Sequence, residues 1–151
     1  MERLNLQPEI IVGDSCKWQP KKPLDGVLID APCSATGTLR RYPDIYYTKT
    51  TKDMDVSANI QKLLIKSAHN MVRKGGLIVF STCSLQPKEG TELVDSVLAE
   101  EKSLSRLPIS AKELELTPDM VNGVGDLRTL PFHEGHIGGM DGFFAARLVR
   151  N

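Results

Sequence analysis

The sequence has few of the features that mark membrane proteins, disulfide-stabilised proteins or strongly basic nucleic-acid-binding proteins. Its longest apolar runs are the size of single strands, far below the roughly 18–20 residues of a membrane span. Its first residues lack the basic and apolar regions of a signal peptide. Three cysteines without a CxxC pair argue against a disulfide framework and predict a reducing, cytoplasmic location. The 19 basic and 19 acidic residues balance, which argues against a whole-domain electrostatic grip on nucleic acid but leaves room for a local patch.

The stretch DGVLIDAPCSATG, residues 25–37, is the most informative part of the chain. Its apolar residues up to Ile29 predict a strand buried on both faces, as in a parallel sheet. Pro32 has no N–H to give to a neighbouring strand, so pairing ends there. Cys33 and the small residues after it therefore follow the carboxyl end of a strand, which is where ligands bind in open α/β sheets.

A second stretch has the same plan further along the chain. Gly75-Gly76 predicts the end of a helix, residues 77–80 predict a buried strand, and Ser81-Thr82-Cys83-Ser84 follows it. If the two strands are parallel neighbours, Cys33 and Cys83 lie at the same edge of the sheet. The sequence therefore predicts two thiols that face one cleft.

The remaining segments predict an α/β fold in a single domain over residues 1–151. Apolar residues recur at helical spacing over 56–74, and Pro87 opens a second helix that runs to about residue 102. The other predicted segments are strands over 9–14 and 143–149, one edge strand within 103–141, and a loop over 38–56 with a helical turn. Strand and helix in alternation predict a parallel, doubly wound sheet.

Four motifs lie on or beside the predicted strands: DAPCSATG at 30–37, RRYPD at 40–44, STCS at 81–84 and DGFFAARL at 141–148. Together they closely resemble the Sun/Fmu/RsmB family of RNA (cytosine-C5) methyltransferases, over residues 9–149. The resemblance implies a Rossmann-like S-adenosylmethionine-dependent methyltransferase fold, a mostly parallel sheet with an antiparallel last strand. It also implies formation of 5-methylcytosine in RNA, usually ribosomal RNA, with S-adenosyl-L-methionine as the cofactor.

One part of the family's pattern has no match in this sequence. The family binds its cofactor with a glycine-rich loop after the first strand, whereas residues 9–14 resemble its third strand. The glycine clusters here, at 122–125 and 135–142, come late and open no helix. We therefore expect a partial fold with the first strands missing, the carboxyl-terminal portion of a catalytic domain, which is inactive by itself. Residues 9–14 would then form an exposed edge, pair with another copy of the chain, or come loose.

The resemblance also implies roles for two cysteines and two carboxylates. Cys83 is implied as the nucleophile that adds to cytosine C6, and Cys33 as the residue that assists product release. The residues alone leave this choice open, because DNA cytosine methyltransferases use a Pro-Cys cysteine, which favours Cys33. Asp30 is expected at the cytosine edge or at the methionine end of the cofactor, and Asp14 beside the adenine. The structural alternatives are two core thiols and two turn carboxylates.

Three further residues, Pro32, Arg40 and Arg41, are candidates for contact with the RNA substrate. The arginines suit phosphate groups, although a solvated pair explains them equally well. His133 and His136 lie in HEGH, which lacks the HExxH metal spacing, so no metal site is predicted.

Two functions of other classes stay open at this point. One alternative is a non-catalytic RNA-binding remnant, which RNA binding without methyl transfer would favour. The other is a thiol redox protein, which a readily formed disulfide between Cys33 and Cys83 would favour, although the lack of a CxxC pair counts against this.

Overall fold

The computed structural model describes residues 7–151, which form five strands and three α-helices joined by loops and short 3-10 turns. The strands are β1 (Leu24–Asp30), β2 (Val72–Thr82), β3 (Leu104–Arg106), β4 (Leu127–Thr129) and β5 (Phe143–Arg150). The helices are α1 (Ile45–Thr48), α2 (Thr51–Met71) and α3 (Thr91–Glu100). None of the helices in this described part is long and apolar enough to cross a membrane.

The strands form one sheet in the order β1-β2-β5-β3, and β4 also pairs with β5. β1 is parallel to β2, whereas β5 is antiparallel to β2, β3 and β4. Four strands therefore run in one direction and the last runs against them. This confirms the predicted fold class, a mostly parallel α/β sheet with an antiparallel last strand.

Helices α2 and α3 pack together over one face of the sheet. Ile65 of α2 and Val94 of α3 are fully buried there, with Phe80 of β2 and Phe144 of β5. The two phenylalanine rings meet edge to face, with centroids 6.3 Å apart. Aromatic pairs prefer this geometry because the positive ring edge meets the negative ring face. The core therefore holds β2 and β5 at the centre of the sheet.

The opposite face of β1 is open. Leu28 keeps 73% of its surface exposed, whereas its neighbour Ile29 is buried against the helices. The prediction of a strand buried on both faces is therefore wrong for β1. The described helices cover only the face that carries Ile29, and β1 is the last strand of the sheet on its side.

Residues 9–14, predicted as a strand, form no strand and are exposed. Val12 keeps 97% of its surface exposed. Regular backbone hydrogen bonding starts only at Asp14, whose carbonyl accepts from the N–H groups of Lys17 and Trp18 at 2.9 Å. A strand needs a partner for its backbone groups, and none of the described strands lies beside this segment. Of the three expected outcomes, the structure has the last, a segment detached from the sheet.

The boundaries of α2 differ from the predicted 56–74. The helix begins at Thr51 because Thr50 and Asp53 form a capping box, in which each side chain binds the backbone N–H of the other. It ends at Met71, and β2 begins at the next residue, so Gly75-Gly76 lies inside the strand rather than after the helix. Gly75 has a φ of +74°, and the pairing with β1 is irregular there. The glycines thus allow a local irregularity in β2 instead of capping a helix.

Two other predictions are refined by the structure. The helix expected from Pro87 starts as a 3-10 turn, Pro87–Glu89, and continues as α3 after Gly90. The region 103–141 contains two short strands, β3 and β4, where one edge strand was expected. The closing strand β5 is confirmed.

Candidate functional site

Cys33 and Cys83 meet at one edge of the sheet. The parallel pairing sets Asp30 opposite Ser81, and the N–H of Ala31 donates to the carbonyl of Ser81 at 3.0 Å. The two chains then leave the sheet side by side, and the Sγ atoms of Cys33 and Cys83 are 3.5 Å apart. Both thiols are free and half-buried. The predicted juxtaposition of the two thiols is confirmed.

The Cys33 thiol has a raised pKa. Burial, together with the neighbouring Cys83 sulfur, raises the pKa of Cys33 to about 12, against the lowering effect of the Ala35 backbone N–H. Cys33 therefore keeps its proton at neutral pH. Its sulfur is in hydrogen-bonding contact with the Cys83 sulfur.

A buried polar cluster lies directly behind the thiol pair. Ser34, Ser84, Gln61 and Glu89 are all fully buried. The Glu89 carboxylate accepts hydrogen bonds from the backbone N–H and hydroxyl of Ser34 and from the hydroxyl of Ser84. In the sequence alone, Glu89 is an acidic residue in the first turn of the helix that Pro87 opens, a position where acidic residues are common. The sequence does carry one indication of such a partner, the serine that follows each cysteine. A hydroxyl group buried beside the thiols needs a hydrogen-bond partner.

The backbone at Gly37 crosses between the backbones at Cys83 and Gly142 and binds both. The N–H of Gly37 donates to the carbonyl of Cys83 at 2.8 Å, and the N–H of Gly142 donates to the carbonyl of Gly37 at 2.8 Å. The three backbones approach so closely that a Cβ added to Gly37 would lie 2.6 Å from the Cys83 carbonyl oxygen. Glycine is required here because of this approach.

Replacing Gly37 with alanine is expected to lower the free energy of unfolding by about 1–3 kcal/mol, because the new methyl group overpacks a backbone crossing. Urea unfolding of the 151-residue chain measures the change. The matched control is Gly135→Ala, where an added Cβ meets nothing within 4 Å. Equal stabilities of the two variants would contradict the close approach at Gly37.

Asp14, Asp30 and Pro32 line one open groove of about 780 Å³ beside the thiol pair. Its other walls are largely apolar and include Trp18 and Leu28. The N–H of Cys16 donates to Asp14 Oδ1 at 2.9 Å, and this bond, with Lys17, lowers the pKa of Asp14. The groove thus combines apolar walls with carboxylate acceptors. That combination suits a ligand with a flat aromatic ring and cationic or hydroxyl groups.

Arg40 and Arg41 bind a neighbouring loop instead of standing free. The Arg40 guanidinium donates to the carbonyl of Gly138, and Arg41 forms an ion pair with Asp141. The Arg41 side chain still keeps 55% of its surface exposed and lies over the ring of Tyr42 at 5.3 Å. The pair therefore orders the loop near the thiols and still presents positive charge outward.

The remaining candidate ligands do not join the thiol pair. His133 is buried, accepts from the Leu130 N–H through Nδ1, and lies 3.2 Å from Asp119 through Nε2. Cys16 lies in the turn after Asp14. Within residues 7–151, no three His, Cys, Asp or Glu side chains are grouped to hold a metal ion.

A sequence model of the 16S rRNA methyltransferase RsmB/F family matches residues 1–149 of this chain. The chain belongs to the RsmB/F family. This confirms the resemblance drawn from the four motifs, two of which carry the thiol pair.

Two RsmB/F relatives illustrate the likeness. The chain is 36% identical to ribosomal RNA small subunit methyltransferase B of Pseudomonas putida and 34% identical to that of Pseudomonas syringae. In both cases the alignment covers 99% of this chain but 33% of the relative. The chain therefore spans about a third of the length of these curated relatives.

Solved structures support the fold of this RsmB/F chain. NSun6 from Pyrococcus horikoshii superposes with a TM-score of 0.74 at 24% identity, over 99% of this chain and 36% of that one. A methyltransferase homologue from the same organism gives a TM-score of 0.64 at 25% identity, over 86% of this chain and 40% of that one. The sheet and its helices thus match part of a larger methyltransferase fold.

Proposed function

We propose that this chain carries the two-cysteine reaction centre of an RNA methyltransferase that makes 5-methylcytosine, most directly in 16S ribosomal RNA. The observation that carries the proposal is the contact of the two sulfurs, 3.5 Å apart at the edge of the sheet, beside the groove. The family name, a 16S rRNA methyltransferase, supports the substrate class. The need for free thiols agrees with a reducing compartment such as the cytoplasm.

The reaction needs a cysteine because cytosine C5 is a poor nucleophile. Addition of the Cys83 thiolate to C6 makes C5 enamine-like, so that C5 takes the methyl group. A base then takes the C5 proton, the C5–C6 double bond re-forms, and the electron pair of the bond between C6 and sulfur returns to Cys83. S-adenosyl-L-methionine supplies the methyl group from its sulfonium sulfur.

Cys33 suits the release step better than the attack. With its pKa raised to about 12, it is a poor source of thiolate at neutral pH. As a protonated thiol it donates to the Cys83 sulfur and stabilises negative charge there as the product leaves. The raised pKa of Cys33 thus supports the assignment of Cys83 as the nucleophile.

The groove is our proposed site for the methyl donor. Asp30 would accept from the ammonium of its methionine part or from the cytosine edge, and Asp14 would lie beside the adenine. Pro32 joins the groove to Cys33 and would border the flipped cytosine, while Arg40 and Arg41 would meet the RNA phosphates. We propose that the 151-residue chain alone transfers no methyl group. Within residues 7–151, no glycine cluster leads from a strand into an α-helix at this groove.

The open edge of β1 supports a further part of the proposal, self-association of the isolated chain. Among the strands of residues 7–151, β1 pairs only with β2, and its other edge lies beside Leu28, which is 73% exposed. Such an edge is a template for pairing with another strand.

A chimera tests the proposed function. The chain replaces the matching third of the Pseudomonas putida relative, and transfer of labelled methyl groups to 16S RNA is measured. We expect 5-methylcytosine from the chimera and none from the chain alone. A folded chimera that binds the RNA without methylating it would favour the RNA-binding alternative.

The thiol redox alternative has one observation in its favour, the short distance between the sulfurs. The raised pKa of Cys33 opposes it, because thiol–disulfide exchange proceeds through a thiolate. Rapid turnover of a disulfide substrate by the chain, lost on replacing either cysteine, would favour redox chemistry.

A further inference from the structure

Glu89 is a fully buried carboxylate beneath the thiol pair. Within the described residues, no Lys or Arg side chain forms an ion pair with it. Burying a carboxylate is costly unless hydrogen-bond donors replace its water. An apolar side chain of similar size often stabilises a protein as well as a buried charge does. The presence of Glu89 therefore calls for an explanation other than stability.

The hydrogen bonds of Glu89 supply that explanation. Its Oε1 accepts from the N–H of Ser34 at 2.9 Å, and its Oε2 accepts from the hydroxyls of Ser34 and Ser84, the latter at 2.6 Å. Ser34 follows Cys33 and Ser84 follows Cys83 in the chain. One carboxylate thus ties together the two loops that carry the sulfurs.

Glu89 is itself held in place from two sides. Its carbonyl accepts from the Thr82 hydroxyl at the end of β2, at 3.3 Å. Gln61 of α2 donates to Glu89 Oε1 at 3.3 Å and to the carbonyl of Pro32 at 2.8 Å. Glu89 is therefore anchored to the strand through its backbone and to the helix through its carboxylate, and does not move with either loop alone.

We propose that Glu89 is a positioning residue that fixes the distance between the sulfurs of Cys33 and Cys83 by holding Ser34 and Ser84. The catalytic meaning of that distance rests on the proposed function, in which Cys33 donates to the departing Cys83 sulfur. The distance itself is a property of the folded chain and is measured without RNA or methyl donor.

The test measures how readily the two thiols form a disulfide with each other. In a Cys16→Ala background, oxidised glutathione exchanges with the pair and gives the Cys33–Cys83 disulfide and two molecules of reduced glutathione. The equilibrium constant is the effective concentration of one thiol at the other. It depends on the distance because the sulfurs must close from 3.5 Å to a bond of about 2.0 Å.

Two variants loosen the tie in different ways. Glu89→Gln keeps the volume but turns one acceptor oxygen into a donor, and Ser84→Ala removes the tie to one loop. We expect each to lower the effective concentration about tenfold, the factor that corresponds to about 1.4 kcal/mol, roughly one charge-assisted hydrogen bond.

Matched controls separate positioning from general loss of stability. Asp126→Asn changes another fully buried carboxylate, which pairs with Arg106 away from the thiols, and Ser96→Ala removes a serine hydroxyl from α3. Thermal unfolding confirms that each variant is folded. The controls are expected to leave the effective concentration within about twofold of the parent, even where the melting temperature falls.

An unchanged effective concentration in the folded test variants overturns the proposal. If Glu89→Gln does not fold, Ser84→Ala alone decides, because it leaves the carboxylate and three of its donors in place. The readout involves no methyl transfer. A chimera without methyltransferase activity would therefore overturn the proposed function and leave this result standing.

Discussion

Replacing Cys83 with alanine is expected to abolish covalent attachment of the chimera to RNA and to lower methyl transfer by about 10³-fold or more. The alanine cannot add to C6, so C5 never becomes nucleophilic. RNA that carries 5-fluorocytosine measures the attachment directly. Fluorine takes the place of the C5 proton, so the bond between sulfur and C6 persists after the methyl group has been transferred. A protein–RNA product that survives denaturation then reports the thioether.

Cys16→Ala is the matched control for this measurement. Cys16 is a half-buried free thiol in a different turn, and its loss is expected to leave attachment and methylation unchanged. Attachment that survives Cys83→Ala but disappears in Cys33→Ala would reverse the assignment. The Pro-Cys cysteine would then be the nucleophile.

Replacing Cys33 with alanine is expected to have the opposite effect on attachment. The Cys83 sulfur still adds to cytosine, but no thiol donor assists its departure, so the covalent protein–RNA product accumulates on unmodified RNA. Steady-state turnover is expected to fall roughly 10²–10⁴-fold, the usual range for loss of a proton-transfer group. A rapid-quench experiment should show one normal first turnover followed by slow release.

The comparison of Cys33→Ala with Cys33→Ser sharpens this result. The serine hydroxyl keeps a donor at the same position, so faster release than in the alanine variant is expected. If both variants release product at the normal rate, Cys33 has no part in release, and its contact with Cys83 is structural.

The edge of the sheet that carries the thiols could be predicted from the sequence. Two short apolar runs, one that ends at Ile29 and one over 77–80, predict parallel strands. Parallel neighbours bring their carboxyl ends, and the cysteines that follow them, together. The closing strand β5 was equally clear, because Phe143 to Val149 has no competing helical pattern. Local sequence was sufficient in these places because each of these strands finds its partner strands within the chain.

The errors in the fold arise where a segment depends on a neighbour. Residues 9–14 have the composition of a strand, but a strand exists only with a partner, and none of the described strands is placed beside them. Leu28 has the composition of a core residue, but burial would need another element over its face of β1, and none of the described helices covers that face. Gly75-Gly76 predicts the end of a helix, but β2 begins at Val72, so the glycines lie within the strand.

The residues that hold the thiol pair in place were less predictable than the two cysteines. Glu89 reaches Ser34 and Ser84 only after β1 and β2 have paired, and nothing near Glu89 in the sequence points to that contact. The backbone crossing at Gly37 likewise depends on a hydrogen bond from Gly142, far along the chain. Arg40 and Arg41 were recognised as basic, but their partners in the loop at 138–141 come from tertiary packing.

The residues that hold the thiol pair differ from those that border the groove, so the two places offer separate targets for inhibitors. Ser34, Ser84 and Glu89 hold the sulfurs from behind, while Trp18, Leu28 and Asp14 border the groove. A compound that fills the groove and an electrophile that alkylates Cys83 would therefore act on separate residues. Resistance to one would not confer resistance to the other. Pro32 borders the groove and precedes Cys33, so a linker from a groove ligand to a reactive group would pass over it.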